Sequence, residues 1–407
     1  MTLTRLGRTR VGSSLENPNI RRYLVGVFLS HLGTWMQMTA ELWLILEITG
    51  SGTALGIHSL VRFTPVLLFG AHGGLLTDRV ERLKLLKITQ SGHMAAAGVL
   101  VSMMLFFEPS VMVIYAVGLG QGFINAVDNP LRRGFIRDLS SDKELPNAVA
   151  LNSTMATINR TIGPALGGFT IATLGVFWCF VANMFSYLAV FVALSLIDRS
   201  TLRPPKFAPR GGGQVKAAYR YAWSDARIWT TLIIVAVIGT FAWNYGVLMP
   251  VYATVTMGGD ASLYGLLLST VGIGSFVGAL INARASGGHQ RRTLRAVAIV
   301  VGAMLLVAAA PNIAVAAVAL FILGGAGTSV IISAQTLIQL TVHDEMSGRV
   351  MALYSVAFLG SKPLGGLVTG WLIDLSGPRL GFAVGAAAVG VVTLAVVVQQ
   401  QRAGHPL

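Results

Sequence analysis

Twelve apolar runs, most of them at or above the roughly 20 residues a helix needs to cross a bilayer, leave this chain few ways to fold. They fall near residues 23–46, 53–76, 84–107, 110–131, 147–173 and 175–197, and again near 227–250, 262–283, 293–310, 312–339, 348–373 and 379–400. Of the 407 residues, 54% are hydrophobic and only 11% are charged, whereas soluble domains carry about 25% charge. A chain this long could bury a large aqueous core, but no such core needs so little charge. The expectation is an all-α membrane protein of twelve transmembrane helices in two six-helix halves.

Between the two groups of runs lies a basic, Pro- and Gly-rich stretch from Asp198 to Arg227. It reads as a linker ending in a short amphipathic helix. The organisation is therefore 1–197, first half; 198–226, linker; and 227–407, second half. The net charge of +14 could suggest a nucleic-acid partner, but its distribution argues otherwise. With the N-terminus placed in the cytoplasm, alternate loops put 26 of the 30 Lys and Arg on that side. This is the positive-inside pattern, and it implies that both termini are cytoplasmic. Arg21, Arg22 and Tyr23 resemble the start of a twin-arginine export signal, but the apolar run behind them is too long for a signal-peptide core. The single Cys179 rules out an internal disulfide framework and a multi-cysteine metal site.

The two groups also form a repeat. Residues 135–153 align with 337–355 at a shift of 202, so that Ile136 meets Ile338, Asp142 meets Asp344 and Ser153 meets Ser355. The same shift places Arg160 on Lys362 and Gly163 on Gly365. Two related six-span halves describe a transporter whose site lies between them near mid-membrane.

Charges inside a bilayer cost about 2.5–3.5 kcal/mol each on insertion scales, so intramembrane charges are functional candidates by default. Here they are Glu41, Arg62, Asp128, Arg160 and Lys362. Glu41 completes a polar stripe with Ser30, Thr34 and Gln37 at helical spacing. Gln121, Asn125 and Asp128 make a second stripe. Counting about 1.5 Å per residue puts Glu41 and Arg62 at similar depth, where they can pair. The expectation is proton coupling at Glu41, Arg62 and Asp128. Cargo contact is expected at Ser30, Thr34, Gln37, Gln121, Asn125, Arg160 and Lys362. His31, His58, His72 and His93 are scattered over the first three spans and read as packed or pore-side residues. No metal, cofactor or catalytic constellation is expected.

The stretch "GGLLTDRVERLK" ends the second run. It resembles the loop signature of the major facilitator superfamily, with Gly74, Asp78, Arg79, Arg82 and Lys84 in the motif positions; Leu83 stands where another basic residue is usual. The resemblance implies a cytoplasmic latch, with Asp78 against a helix N-terminus of the other half. It also implies that the arginines pair with an acid at the cytoplasmic end of the fourth span, taken to be Asp128. "NRTIGPALGG" places Gly163, Pro164, Gly167 and Gly168 in a pattern resembling the fifth-helix signature of the superfamily's exporters. Residues 32–79 resemble the branch that includes the enterobactin exporters and other secretion transporters. One departure stands out. Many proton-driven members carry Arg in the fourth span three residues before a Gln-Gly pair, and here Gly118 occupies that position.

The resemblance and the charges together imply proton-driven export of a small amphipathic or anionic molecule by a monomer in a lipid bilayer. Siderophores, drugs and secondary metabolites fit. An importer or uniporter of the same fold is the alternative; no nucleic-acid partner is expected.

Overall fold

The structure is a computed structural model that describes residues 12–77, 80–203, 214–283 and 290–402. Helices account for nearly all of it, and no strand occurs among the described residues. The first set comprises α1 (Pro18–Thr49), α2 (Gly52–Thr77), α3 (Arg82–Phe106), α4 (Val111–Leu139), α5 (Leu145–Leu174) and α6 (Val176–Ser195). A short linker helix, α7 (Gln214–Ser224), precedes the second set of α8 (Ala226–Val237), α9 (Tyr245–Val251), α10 (Ala261–Ala283), α11 (Gln290–Ala309), α12 (Ile313–Thr341), α13 (Asp344–Leu359) and α14 (Ser361–Arg402).

Nine helical stretches among the described residues are long and apolar enough to cross a membrane. Two further helices, α1 with 32 residues and α5 with 30, have the length but carry more polar groups. The stretch 349–402 counts once by hydropathy, yet Gly377, at φ 78° within α14, turns the chain back and splits it into two crossings. The twelve-crossing reading therefore holds. The seventh crossing is segmented: α8 and α9 are joined through a π-helical turn, Ile238–Ala242, and a second such turn, Tyr252–Thr256, follows α9.

Successive helices alternate in direction, so both ends of the chain and the linker share one face, called here the terminal face. Contacts at helix ends agree. Asn19 at the start of α1 bonds the carbonyl of Asp198 beyond α6 at 3.0 Å, and Gln290 at the start of α11 bonds Gln400 near the end of α14 at 2.6 Å. In the first set α1 packs on α5 and α6, α2 on α4, and α3 on α4 and α6; in the second, α12 packs on α10 and α11, and α11 on α14.

The two sets meet along two seams near the opposite, far face. On one, Gly52 and Gly56 of α2 lie so close to Gly370 and Gly366 of α14 that a Cβ at Gly56 would stand 2.6 Å from the Gly366 carbonyl oxygen. On the other, Thr161, Pro164 and Gly168 of α5 lie against Gly265 and Gly272 of α10. Small residues let helix backbones approach this closely in a membrane, where packing rather than the hydrophobic effect drives association. The far end of the α2–α14 seam is clasped by Asp374. Its carboxylate accepts from the Ser51 hydroxyl at 2.7 Å and from the backbone N–H groups of Gly52 and Thr53 at 2.5 and 2.9 Å. A carboxylate of the second set thus caps the N-terminus of a helix of the first.

Candidate functional site

The turn at Gly50, whose φ of 62° suits glycine, folds α2 back along α1 and brings Glu41 level with Arg62 and His58. Glu41 Oε2 accepts from Arg62 Nη1 at 2.6 Å and lies 3.2 Å from His58 Nε2. Its Oε1 accepts from Gln37 Nε2 at 2.6 Å. Gln37 Oε1 in turn accepts from Asn183 Nδ2 of α6 at 2.5 Å. Glu41, Gln37, His58, Arg62 and Asn183 are all buried. Removing one member of a buried ion pair typically costs 3–5 kcal/mol, because the other charge is left uncompensated.

Gly118 explains why this cluster fits. A Cβ there would stand 3.3 Å from His58 Nε2 and 3.9 Å from Arg62 Cβ. One turn along, Gly122 sits against the Arg62 carbonyl and Pro65. The bare face of α4 gives α2 the room to carry its arginine into the bundle. The cation that pairs with Glu41 thus comes from α2, with the bare face of α4 against it.

Asp128 forms a separate cluster, closed upon itself. Its carboxylate accepts from Arg132 Nε at 2.5 Å, Thr89 Oγ1 at 2.7 Å and Gln90 Nε2 at 2.9 Å. Arg132 Nη2 also reaches Gln90 Oε1 at 2.8 Å. Beside it His93 stacks on Tyr187, ring centroids 5.2 Å apart, and the Tyr187 hydroxyl lies 3.0 Å from that of Thr34.

These contacts correct two expectations. The acid facing the Arg82 guanidinium is Asp138, at 2.7 Å, not Asp128. Helix α4 runs on to Leu139, eight residues past the end of its apolar run, and so carries a second acid to the terminal face. Ser30, Gln37 and Gln121, expected to touch cargo, are instead buried within the first set; Thr34 and Asn125 are half-buried. Of the remaining latch residues, Gly74 lies in α2 and Lys84 is exposed on α3, while Asp78 and Arg79 lie outside the described residues.

Arg160 and Lys362 stand apart. Arg160 is exposed, one position before Thr161 on the α5–α10 seam. Lys362 Nζ lies 5.9 Å from the ring centroid of Phe63 on α2 and 5.1 Å from that of Phe358 on α13, so it bridges the two sets. No acidic partner for either cation is found among the described residues. Arg62, paired with Glu41, leaves two intramembrane cations of the expected three open to an anion. The exporter-motif residues wedge α5 between neighbours: Gly163 faces Trp35 and Gly167 faces Met36 and Thr39 on α1, while Gly168 faces Gly265 on α10.

Sequence reasoning read His58 only as a packed or pore-side residue and did not single out Asn183, Arg132, Asp138 or Asp374. The four-residue spacing of His58 and Arg62 was a usable signal for the first. Nothing local marks the others.

Twelve crossings in two sets, joined by glycine seams and flanking unpaired intramembrane cations, define a transporter rather than an enzyme. The chain belongs to the transmembrane secretion effector family of major facilitator transporters, whose model matches residues 13–404. It is 28% identical over 259 residues to the staphyloferrin A transporter of Staphylococcus aureus, covering 62% of this chain and 64% of that protein's length. It is 25% identical over 379 residues to the enterobactin exporter of Citrobacter koseri, covering 91% and 87%. Among solved structures it resembles a bacterial homologue of the iron transporter ferroportin in an inward-facing state, with a TM-score of 0.72, 13% identity, and 93% and 98% of the chains covered. It also resembles the nucleoside transporter NupG, with a TM-score of 0.74, 13% identity and the same coverage.

Proposed function

We propose that this protein exports a small anionic, siderophore-like molecule from the bacterial cytoplasm by alternating access, in exchange for protons. In this reading both termini are cytoplasmic, as the distribution of Lys and Arg favours, and the seams close the periplasmic side. The observation that carries it is a pair of cations with no acidic partner among the described residues, Arg160 and Lys362, one from each set, beside the contact between sets. An anion between them would offset two charges that are costly in a membrane, and the Phe63 and Phe358 rings add an apolar wall suited to an amphipathic cargo. The relatives that transport staphyloferrin A and export enterobactin point the same way. Proton coupling is assigned to the buried Glu41–Arg62 pair, with Asp128 as a second acid in the same set.

The test uses inverted and right-side-out vesicles with labelled enterobactin and staphyloferrin A as probes, with and without a proton gradient. Accumulation in inverted vesicles, driven by an acidic lumen, is the expected result. Uptake only into right-side-out vesicles would make the protein an importer, and gradient-independent equilibration a uniporter.

A further inference from the structure

We propose that the exchangeable proton is carried by His58, at Nε2, with Glu41 as its fixed counter-charge. The inference rests on the proton-coupled reading above and moves the proton from the carboxylate to the imidazole. Both oxygens of Glu41 are already engaged, each accepting a bond of 2.6 Å, one from Arg62 and one from Gln37. A proton placed on either oxygen would face a donor, and it would leave the Arg62 guanidinium as an uncompensated buried cation.

His58 is placed differently. Its ring is buried, and Nε2 lies 3.2 Å from Glu41 Oε2 without an aligned hydrogen bond. A proton taken up there turns a loose contact into a charge-assisted bond. Protonating Glu41 or His58 adds the same charge to the triad, but only the second leaves both cations bonded to one shared anion. Histidine is also the side chain suited to gaining and losing a proton near neutral pH. The charged or titratable groups facing His58 are Glu41 from α1, Arg62 one turn along α2, and Tyr115 from α4, whose ring centroid is 6.5 Å away.

The step is a plain proton transfer. Water on one side gives a proton to Nε2, the ring becomes imidazolium, and the proton leaves to water on the other side. His58 is well placed for this because Gly56 and Ser59, on the same turn of α2, form the seam with Gly366. Opening the seam therefore alters the surroundings of the ring directly.

Selective labelling of the seven histidines and NMR of the purified full-length protein in nanodiscs tests this between pH 8 and pH 5. The signal lost in His58→Gln, with His58→Asn as a second assignment variant, should change from neutral ring to imidazolium in the wild type. In Glu41→Gln, which removes the counter-charge, the response of the same signal should differ from that of the wild type. A proton-release measurement on the same samples should count one proton fewer in His58→Gln. A His58 ring that stays neutral throughout, or a change that Glu41→Gln leaves in place, overturns the proposal. Wild-type transport indifferent to a proton gradient would instead refute the coupled reading, and it leaves the His58 titration readable on its own.

Discussion

Among the described residues Asp374 is the only acid seen to reach across the seams, and replacing it should open the far face. Its carboxylate accepts three bonds from the first turn of α2 and the residue before it, at 2.5, 2.7 and 2.9 Å. A side-chain cap of this kind is worth about 0.5–2 kcal/mol, and a carboxylate at a helix N-terminus gains about 0.3–1 kcal/mol from the dipole. When the seam parts, water takes over the donors, so only the difference acts on the equilibrium. About 1–2 kcal/mol is a reasonable figure, equivalent to a factor of roughly 5–30 in the ratio of closed to open. Asp374→Ala removes the whole clasp. Asp374→Asn keeps an acceptor but loses the charge, and Ser51→Ala removes one bond of three.

The assay is the distance between spin labels placed at the far face of the two sets, at Glu108→Cys in the α3–α4 loop and Ala314→Cys in the first turn of α12, both exposed positions. The native Cys179 is buried and takes up little label. The population with a long far-face distance should grow in the order wild type, Ser51→Ala, Asp374→Asn, Asp374→Ala. Distance distributions identical in wild type and Asp374→Ala would show that the glycine seams alone hold the face shut, and the reasoning from the clasp would fail.

Other perturbations separate the remaining parts. Glu41→Gln should abolish accumulation of cargo against its gradient while leaving cargo binding, measured by calorimetry, within about threefold of wild type; Arg62→Ala should shift the pH optimum of transport upward, read from initial rates between pH 5 and 9. Neutralising Arg160 and Lys362 together should weaken binding of an anionic probe by at least tenfold, since each lost charge contact is worth roughly 1.5–3 kcal/mol, and should change a neutral analogue far less. Gly168→Leu cannot fit 2.4 Å from the Ala261 carbonyl, so it should force the α5–α10 seam apart and lengthen the same far-face distance. Asp138→Asn should leave the Arg82 guanidinium without its 2.7 Å carboxylate and lower transport at unchanged expression, whereas equal rates would assign that pair to surface packing.

Much of this was legible from hydropathy and counting. The twelve crossings follow from run length, and the Glu41–Arg62 pair from nothing more than residues counted back and forward from a Gly turn. What escaped has a common cause. Hydropathy reports where an apolar run ends, not where a helix ends, so the last residues of α4 with their Asp138 were not foreseen and Arg82 was given the wrong acid. A polar stripe such as Ser30, Gln37 and Glu41 marks one face of a helix, but it cannot say whether that face meets a cavity or another helix. Here it meets Asn183 of α6. Asp374, a lone acid near a turn, has no local pattern to separate it from an ordinary solvated residue; only the helix end brought to it from 321 to 323 positions away gives it a task.

The arrangement also narrows how proton and cargo can influence each other. Glu41, His58 and Arg62 form a buried triad inside the first set, whereas Arg160 and Lys362 lie where the sets meet, and no described hydrogen bond joins the two groups. A direct exchange of charge between proton site and cargo site is therefore not built into this state. One helix, α2, reaches the triad, one seam and Lys362. Along α2 stand Gly52 under the Asp374 clasp, Gly56 and Ser59 in the seam, His58 and Arg62 against Glu41, and Phe63 beneath Lys362. A change of charge at the triad alters the forces on α2, and in the proposed reading the same helix carries part of the cargo wall and half of a seam. Coupling is then a matter of which position of α2 each ligand favours, since a ligand shifts an equilibrium only by its difference in affinity for the two states. On this account a substitution in the α2–α14 seam such as Gly56→Ala should alter proton dependence and cargo affinity together, although it touches neither site.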